Sequence, residues 1–172
     1  MAAVQYDLLK ILIVDDSKPM RIMLSEIFRS LGCRDLRQAG DGTEALQILR
    51  KTTIDVVVTD LAMAPMDGIK FVRELRNAPD SPNKFLPVIM ITGHATGRRV
   101  AEARDAGVNE FLAKPITAAG VLDRLRRVIS SNRSFAKSDD YFGPDRRRRT
   151  SQTYRGPLRR RTDHCAVGSI EL

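Results

Sequence analysis

The stretch "IDVVVTDLAMAPMDG", residues 54–68, runs from an almost unbroken apolar segment into a carboxylate and then into a loop that closes on glycine. Ile54, Val56, Val57 and Val58 predict a strand over 55–59 with both faces covered, because a half-exposed strand would alternate apolar with polar residues. Asp60 ends it. A second such run predicts a strand over 88–91, and the remaining strands are placed over 11–14, 35–39 and 110–113. Helical periodicity fills the gaps, over 17–31, 43–51, 68–77, 98–106 and 117–130. In the first of these, Met20, Met23, Leu24, Ile27, Phe28 and Leu31 recur at three-four spacing, with Gly32 as the stop. Strands alternating with helices through five units imply an α/β, doubly wound parallel sheet with helices on both faces.

The 172 residues hold this domain, read as 1–130, plus an extension over 131–172. No apolar run reaches the length of a membrane span, and the N-terminus lacks the basic-then-apolar pattern of a leader, so a cytoplasmic protein without membrane insertion is expected. Cys33 and Cys165 lack metal-ligand spacing and read as a buried small hydrophobe and an incidental tail residue. The net charge of +8 is unevenly placed. Residues 1–130 carry 19 basic and 16 acidic side chains, whereas 131–172 carry 10 and 5. The extension is the cationic part, and its charge calls for an anionic partner without choosing one.

In a doubly wound sheet, ligands sit at the carboxyl ends of the strands, so the residues ending each strand form the candidate site. These are Asp15, Asp16, Asp60, Thr92 and Lys114. Three converging carboxylates repel one another unless a divalent cation is shared, and Mg²⁺ suits a site that also handles phosphate. Asp15 and Asp16 are the expected metal ligands; the alternative, a capping pair at a helix start, leaves Asp60 and Lys114 unexplained. A carboxylate can attack phosphorus to give an acyl phosphate when metal and ammonium neutralise the transferring oxygens. Asp60 is the expected nucleophile, with Thr92 and Lys114 on the phosphoryl oxygens. Gly68 is expected to permit a tight turn into the following helix.

"VDDS" at 14–17, "TDLAMAPMDG" at 59–68, "MITGH" at 90–94 and "EFLAKP" at 110–115 resemble, in order and spacing, the receiver domain of bacterial response regulators. The resemblance covers residues 8–130. It implies the flavodoxin-like (CheY-like) fold with strand order 2-1-3-4-5, and phosphotransfer to Asp60 from a histidine kinase or phosphotransfer protein. It also implies that Asp15 or Asp16, Asp60 and the backbone carbonyl of Ala62 coordinate the metal, and that Phe111 is the aromatic whose rotamer follows Thr92. Ala64, Pro65 and His94 depart from the family's usual pattern. Ala62 and His94 flank the path of attacking water and so bear on the lifetime of the acyl phosphate, His94 either as a general base or as a solvated loop residue.

Beyond Ser130 the composition turns to Ser, Asp, Gly, Pro and Arg, which cannot bury enough apolar surface to offset its conformational entropy, so disorder, or folding on binding, is expected. Within it Tyr141-Phe142-Gly143-Pro144 and Tyr154-Arg155-Gly156-Pro157 open two near-identical units, each followed by arginines: Arg146, Arg147, Arg148 and Arg149, then Arg159, Arg160 and Arg161. A tail selected for charge alone has no reason to keep aromatic, Gly-Pro and arginine in one order twice. Arginine pairs bidentately with guanine O6 and N7, stacks on purines and holds phosphates. Asp145 and Asp163 can accept from guanine N1 and N2. Tyr141, Phe142 and Tyr154 suit either base stacking or contact with the receiver surface.

That chemistry fits cyclic di-GMP, and the extension resembles the arginine-rich tail of the CheY-like c-di-GMP effectors, the Cle family. Arg160-Arg161-Thr162-Asp163 also matches the R-x-x-D of diguanylate cyclase inhibitory sites, a short and common pattern, while a PilZ motif is incomplete. The Cle resemblance implies c-di-GMP binding through Asp145, Asp163, Tyr141, Tyr154, Arg155 and both arginine clusters. It further implies action on a flagellar motor switch protein at the cell pole, with effects on swimming and attachment. Fixing ten tail residues costs roughly 10–20 kcal/mol, and one arginine–guanine pair returns about 1–3 kcal/mol. Several guanines, as in a stacked pair of ligands, are therefore required. No enzymatic output is expected beyond self-catalysed phosphorylation and dephosphorylation of Asp60. Two further readings stand beside this one: a phosphorelay shuttle or phosphate sink with a spacer tail, and a nucleic-acid-binding regulator. Steep salt dependence without guanine preference would distinguish the last.

Overall fold

A computed structural model describes residues 6–93, 96–130, 135–138 and 141–144. After a 3-10 turn at Tyr6–Leu8 the chain alternates β1 (Lys10–Val14), α1 (Lys18–Ser30), β2 (Asp35–Ala39), α2 (Gly42–Lys51), β3 (Val56–Asp60), α3 (Gly68–Asn77), β4 (Val88–Thr92), α4 (Gly97–Ala106), β5 (Glu110–Ala113) and α5 (Ala118–Ser130). Two short strands, β6 (Phe135–Ser138) and β7 (Tyr141–Pro144), follow. The five main strands are parallel in the order 2-1-3-4-5, as the flavodoxin-like expectation required. No helix among the described residues is long and apolar enough to cross a membrane.

Two apolar layers sandwich the sheet, and strand alternation assigns side chains to them. Leu12, Val14, Val57, Val88 and Met90 face one way, toward a core completed by Leu49, Phe71, Val72, Leu75 and Ala103 from α2, α3 and α4. Ile11, Ile13, Val56, Val58, Ile89 and Ile91 face the other, toward Leu24, Phe28, Val121, Leu125 and Val128 from α1 and α5. β3 and β4 are buried at every residue, whereas the edge strand β2 is half exposed. This explains why the central runs read clearly and β2, carrying Arg37 and Gln38, did not read as apolar.

Local chemistry sets the element ends. β3 is displaced one residue from the predicted 55–59, because Asp55 turns its carboxylate to accept the Lys10 N–H at 2.8 Å and Asp60 takes the last place in the ladder. Asp41 caps α2 by accepting from Thr43 and Glu44 N–H, and the Glu44 carboxylate returns to Gly40 N–H, a reciprocal cap. Gly32 ends α1 as expected, with φ at 98°. Gly68 has no positive φ; its role is close approach. A Cβ there would overlap the backbone carbonyl oxygen of Asp60, so the residue permits α3 to pack against the end of β3.

The expectation of disorder throughout 131–172 is corrected at its beginning. Residues 135–138 and 141–144 pair as an antiparallel hairpin, with Phe135 opposite Pro144 and Ser138 opposite Tyr141. Phe135, Gly143 and Pro144 are buried. The composition hid this because three aromatics, Phe135, Tyr141 and Phe142, are enough to bury a short hairpin once a receptor surface exists, and that surface is not local in sequence.

Candidate functional site

Parallel register brings the strand ends to one edge: Val14 lies beside Thr59, Asp60 beside Ile91, and Thr92 beside Ala113. The residues at those ends, Asp15, Asp60, Thr92 and Lys114, therefore converge, and all but Lys114 are buried. These four are among the strand-end residues, Asp16 with them, that the sequence singled out.

Asp60 is held at both oxygens. Lys114 Nζ lies 2.8 Å from Oδ1, and the Ala62 N–H donates to Oδ2 at 2.9 Å. The ammonium is about a third exposed and the carboxylate 8% exposed, so the pair opens to solvent from the lysine side. Asp15 is asymmetric. Its Oδ1 accepts the Ser17 N–H at 2.8 Å, while its Oδ2, also buried, has no hydrogen-bond partner among the described residues. Arg21 Nη1 donates to the Asp15 backbone oxygen at 2.6 Å and steadies the turn into α1, a role not read from the sequence. Asp16 is exposed beside it.

Burial raises the Asp15 carboxyl above the usual carboxylate range, and the charges of Asp60 and Asp16 push the same way against the Ser17 N–H and Lys114. A buried oxygen with no partner costs free energy that a cation would recover. Among the described residues no three ligating side chains form a ready-made metal cage. That agrees with Mg²⁺ sites in general, which use one or two carboxylates and complete their shell with waters and phosphate oxygens. The donor set fits such an ion.

The raised Asp15 pKa has a definite sign. Between the ordinary carboxyl value and the raised one, the folded protein binds more protons than the unfolded chain, so stability falls as pH rises through that window. Asp15→Asn keeps an oxygen for the Ser17 N–H and removes the buried charge. Thermal unfolding in the absence of divalent cations should show a higher Tm than wild type at neutral pH and a flatter dependence on pH above 4; an equal or lower Tm would contradict the assignment.

Thr92 ends β4, and its backbone oxygen accepts the Lys114 N–H at 2.8 Å, so its position is coupled to the lysine's. Phe111 is half-buried against the core on the α2–α4 side. His94 lies outside the described residues, as do Asp145, Arg146, Arg147, Arg148, Arg149, Tyr154, Arg155, Arg159, Arg160, Arg161 and Asp163. Tyr141 is described, and its hydroxyl donates to the Pro144 carbonyl at 2.7 Å inside the hairpin. Its assignment as part of a free tail is corrected accordingly. A cleft of about 310 Å³ lined by Arg50, Lys51, Thr52 and Asn83 contains none of the strand-end residues.

Sequence reasoning missed Arg76. It is 1% exposed, and its guanidinium donates to the carbonyls of Gly107, Lys84 and Leu86 and to Asn109 Oδ1. Burial lowers its pKa to about 9. A signal existed: Ile69, Val72 and Arg76 share one α3 stripe at three-four spacing, so an arginine falls on a buried face.

The response regulator receiver domain family matches residues 11–126. Chemotaxis protein CheY-3 of Vibrio cholerae is 41% identical over 129 residues, 75% of this chain and 98% of that protein. Chemotaxis protein CheY of Pseudomonas aeruginosa is 39% identical over 121 residues, covering 70% and 96%. Among solved structures, CheY4 of Vibrio cholerae superposes with a TM-score of 0.64 at 34% identity, covering 70% of this chain and 98% of that one. The receiver domain of sensor histidine kinase PA1611 from Pseudomonas aeruginosa, with a magnesium ion coordinated in its active-site cleft, superposes at 0.64 and 29% identity, covering 72% and 98%. With the strand order, the aspartate–lysine pair and these relatives in agreement, the chain belongs to the response regulator receiver family, as a CheY-like member of two-component signalling.

Proposed function

We propose that the receiver accepts a phosphoryl group on Asp60 and that its arginine-rich extension binds cyclic di-GMP. The observation that carries the first half is the Asp60 carboxylate, buried, oriented by the Ala62 N–H and paired with Lys114 at 2.8 Å. An Asp60 oxygen attacks the phosphorus of a phosphohistidine on a kinase or phosphotransfer protein; the P–N bond breaks, an O–P bond forms and the imidazole nitrogen leaves with the electron pair. Lys114 then pairs with a phosphoryl oxygen and Thr92 donates its hydroxyl to another. Asp15, Asp16, Asp60 and the Ala62 carbonyl would hold Mg²⁺, which when bound neutralises charge on the transferring group. The chain's own contribution is orientation and charge, and it has no other enzymatic output.

The second half is supported by the doubled Tyr-x-Gly-Pro–arginine pattern and its likeness to the Cle family, CleD among them. The hairpin sharpens it. Since Tyr141 is engaged within β7, the nucleotide-binding stretch begins at Asp145 and comprises both arginine clusters, Tyr154, Arg155 and Asp163. The output is docking on a flagellar motor switch protein, which would place a cytoplasmic protein at the motor and alter swimming and surface attachment.

Titration calorimetry of the full chain with c-di-GMP tests this. More than one ligand per chain is expected, and lysine at 146–149 and 159–161 should weaken binding at least about tenfold, since lysine keeps the charge and loses the fork that reads guanine. Unchanged affinity after arginine-to-lysine replacement would reduce the tail to a basic appendage. Transfer to Asp60 with no heat from c-di-GMP would favour a phosphate sink.

A further inference from the structure

The hairpin forms a strap across the base of the receiver, at the end of the sheet opposite Asp60, with β7 lying against α4 and α3. Three phenyl rings hold it. Phe85, in the loop before β4, meets Phe135 at 5.0 Å and Phe142 at 5.3 Å, both edge-on, and Phe135 lies 5.6 Å from Phe142. Below them the Arg76 guanidinium sits 5.3 Å from the Phe135 ring centre. Two glycines then cross: a Cβ on Gly143 would stand 2.8 Å from Gly107 Cα, and one on Gly107 would stand 3.0 Å from the Phe142 carbonyl oxygen. Gly107 also adopts φ 104° as the cap of α4. Neither position accepts a side chain without moving backbone.

What the strap grips is the joint between α4 and β5. Arg76 binds the Gly107 carbonyl and Asn109 Oδ1, and the same Asn109 oxygen accepts the Val88 N–H at 2.9 Å while the Asn109 N–H donates to the Val88 carbonyl at 3.0 Å. β5 starts at the next residue, carries Phe111 and ends beside Lys114, the partner of Asp60. We propose that the strap is a clamp on the α4–β5 joint whose docking is thermodynamically linked to the Asp60 site. The inference rests on the reading of Asp60 as phosphoacceptor. If phosphorylation shifts β5 against α4, it must change the strap's contacts, and by reciprocity releasing the strap must change the equilibrium at Asp60.

Hydrogen exchange on the full chain, with Phe142→Ala and Gly143→Ala as variants, decides it without any phosphoryl donor. In wild type the amides of 141–143 and 107–109 should exchange slowly. Either variant should accelerate both by about tenfold or more, as expected when a docked unit opens, and residues 110–114 should follow. Steady-state labelling of Asp60 by acetyl phosphate should then change about fivefold. The clamp is overturned if 141–143 exchanges in wild type like unstructured chain, if the variants free the strap while 110–114 keeps its wild-type rates, or if Asp60 labelling proceeds unaltered. Failure of wild type to label at all would retire the phosphoacceptor reading, while the exchange at 110–114 still decides whether the strap is linked to β5.

Discussion

Asp60→Asn should abolish acyl-phosphate formation, with the labelling rate from acetyl phosphate falling by about 10³-fold or more, as when a covalent nucleophile is deleted. The amide is nearly isosteric, can still accept the Ala62 N–H and remains within reach of Lys114, so fold and melting behaviour should survive while the chemistry does not. The companion Lys114→Ala has a different signature. It leaves a carboxylate that is 8% exposed without its cation, so it should slow labelling and also cost stability. Breaking a fully buried pair costs about 3–5 kcal/mol. The lysine's partial exposure lets water replace it, so about 1–2 kcal/mol is expected here. Phosphate gel-shift of the two variants beside circular dichroism melts separates nucleophile from neutralising partner; persistent labelling of Asp60→Asn would show that another residue accepts the phosphoryl group.

Arg76→Ala should be the most damaging substitution away from the strand ends. It removes the donors for three backbone carbonyls and one amide oxygen and leaves a hole under Phe135. Each buried acceptor left unpaired costs about 1–3 kcal/mol. Partial hydration of the rim beside Lys84 reduces the sum, so about 4 kcal/mol is expected, which for a domain of this size lowers Tm by about 10–15 °C. Arg76→Lys should recover little, because one ammonium cannot serve acceptors arranged around a planar fork. Burial pushes this guanidinium down to about 9, so between that pH and the range where ordinary arginines titrate the unfolded chain binds more protons than the folded protein, and the group's contribution to stability should rise with pH there. A melt showing Arg76→Ala within 2 °C of wild type, on the order of half a kcal/mol, would refute the role assigned to it.

The strap also changes how the protein should be divided. A chain ending at Ser130 follows the compositional boundary but uncovers Phe85 and the face of Arg76, whereas one ending at Pro144 keeps the base closed. A binding comparison that removes only the arginine-rich stretch therefore needs the later end point.

Periodicity and strand-end position alone determined the fold class, the five strands within a residue or two, and the strand-end grouping of Asp15, Asp60, Thr92 and Lys114. These are legible because a parallel sheet delivers the residue after each buried run to the same edge, so adjacency along the chain becomes convergence in space. The tertiary structure alone decided three matters. Arg76 is buried because acceptors 8, 10 and 31 to 33 positions away surround it, a distribution with no repeating pattern along the chain. Gly68 serves a close approach to Asp60 that its place in a turn disguises. The first Tyr-x-Gly-Pro is a docked strand because Phe85 and Gly107, from separate loops, together make its receptor, and no composition of the tail could specify a surface built by the rest of the molecule.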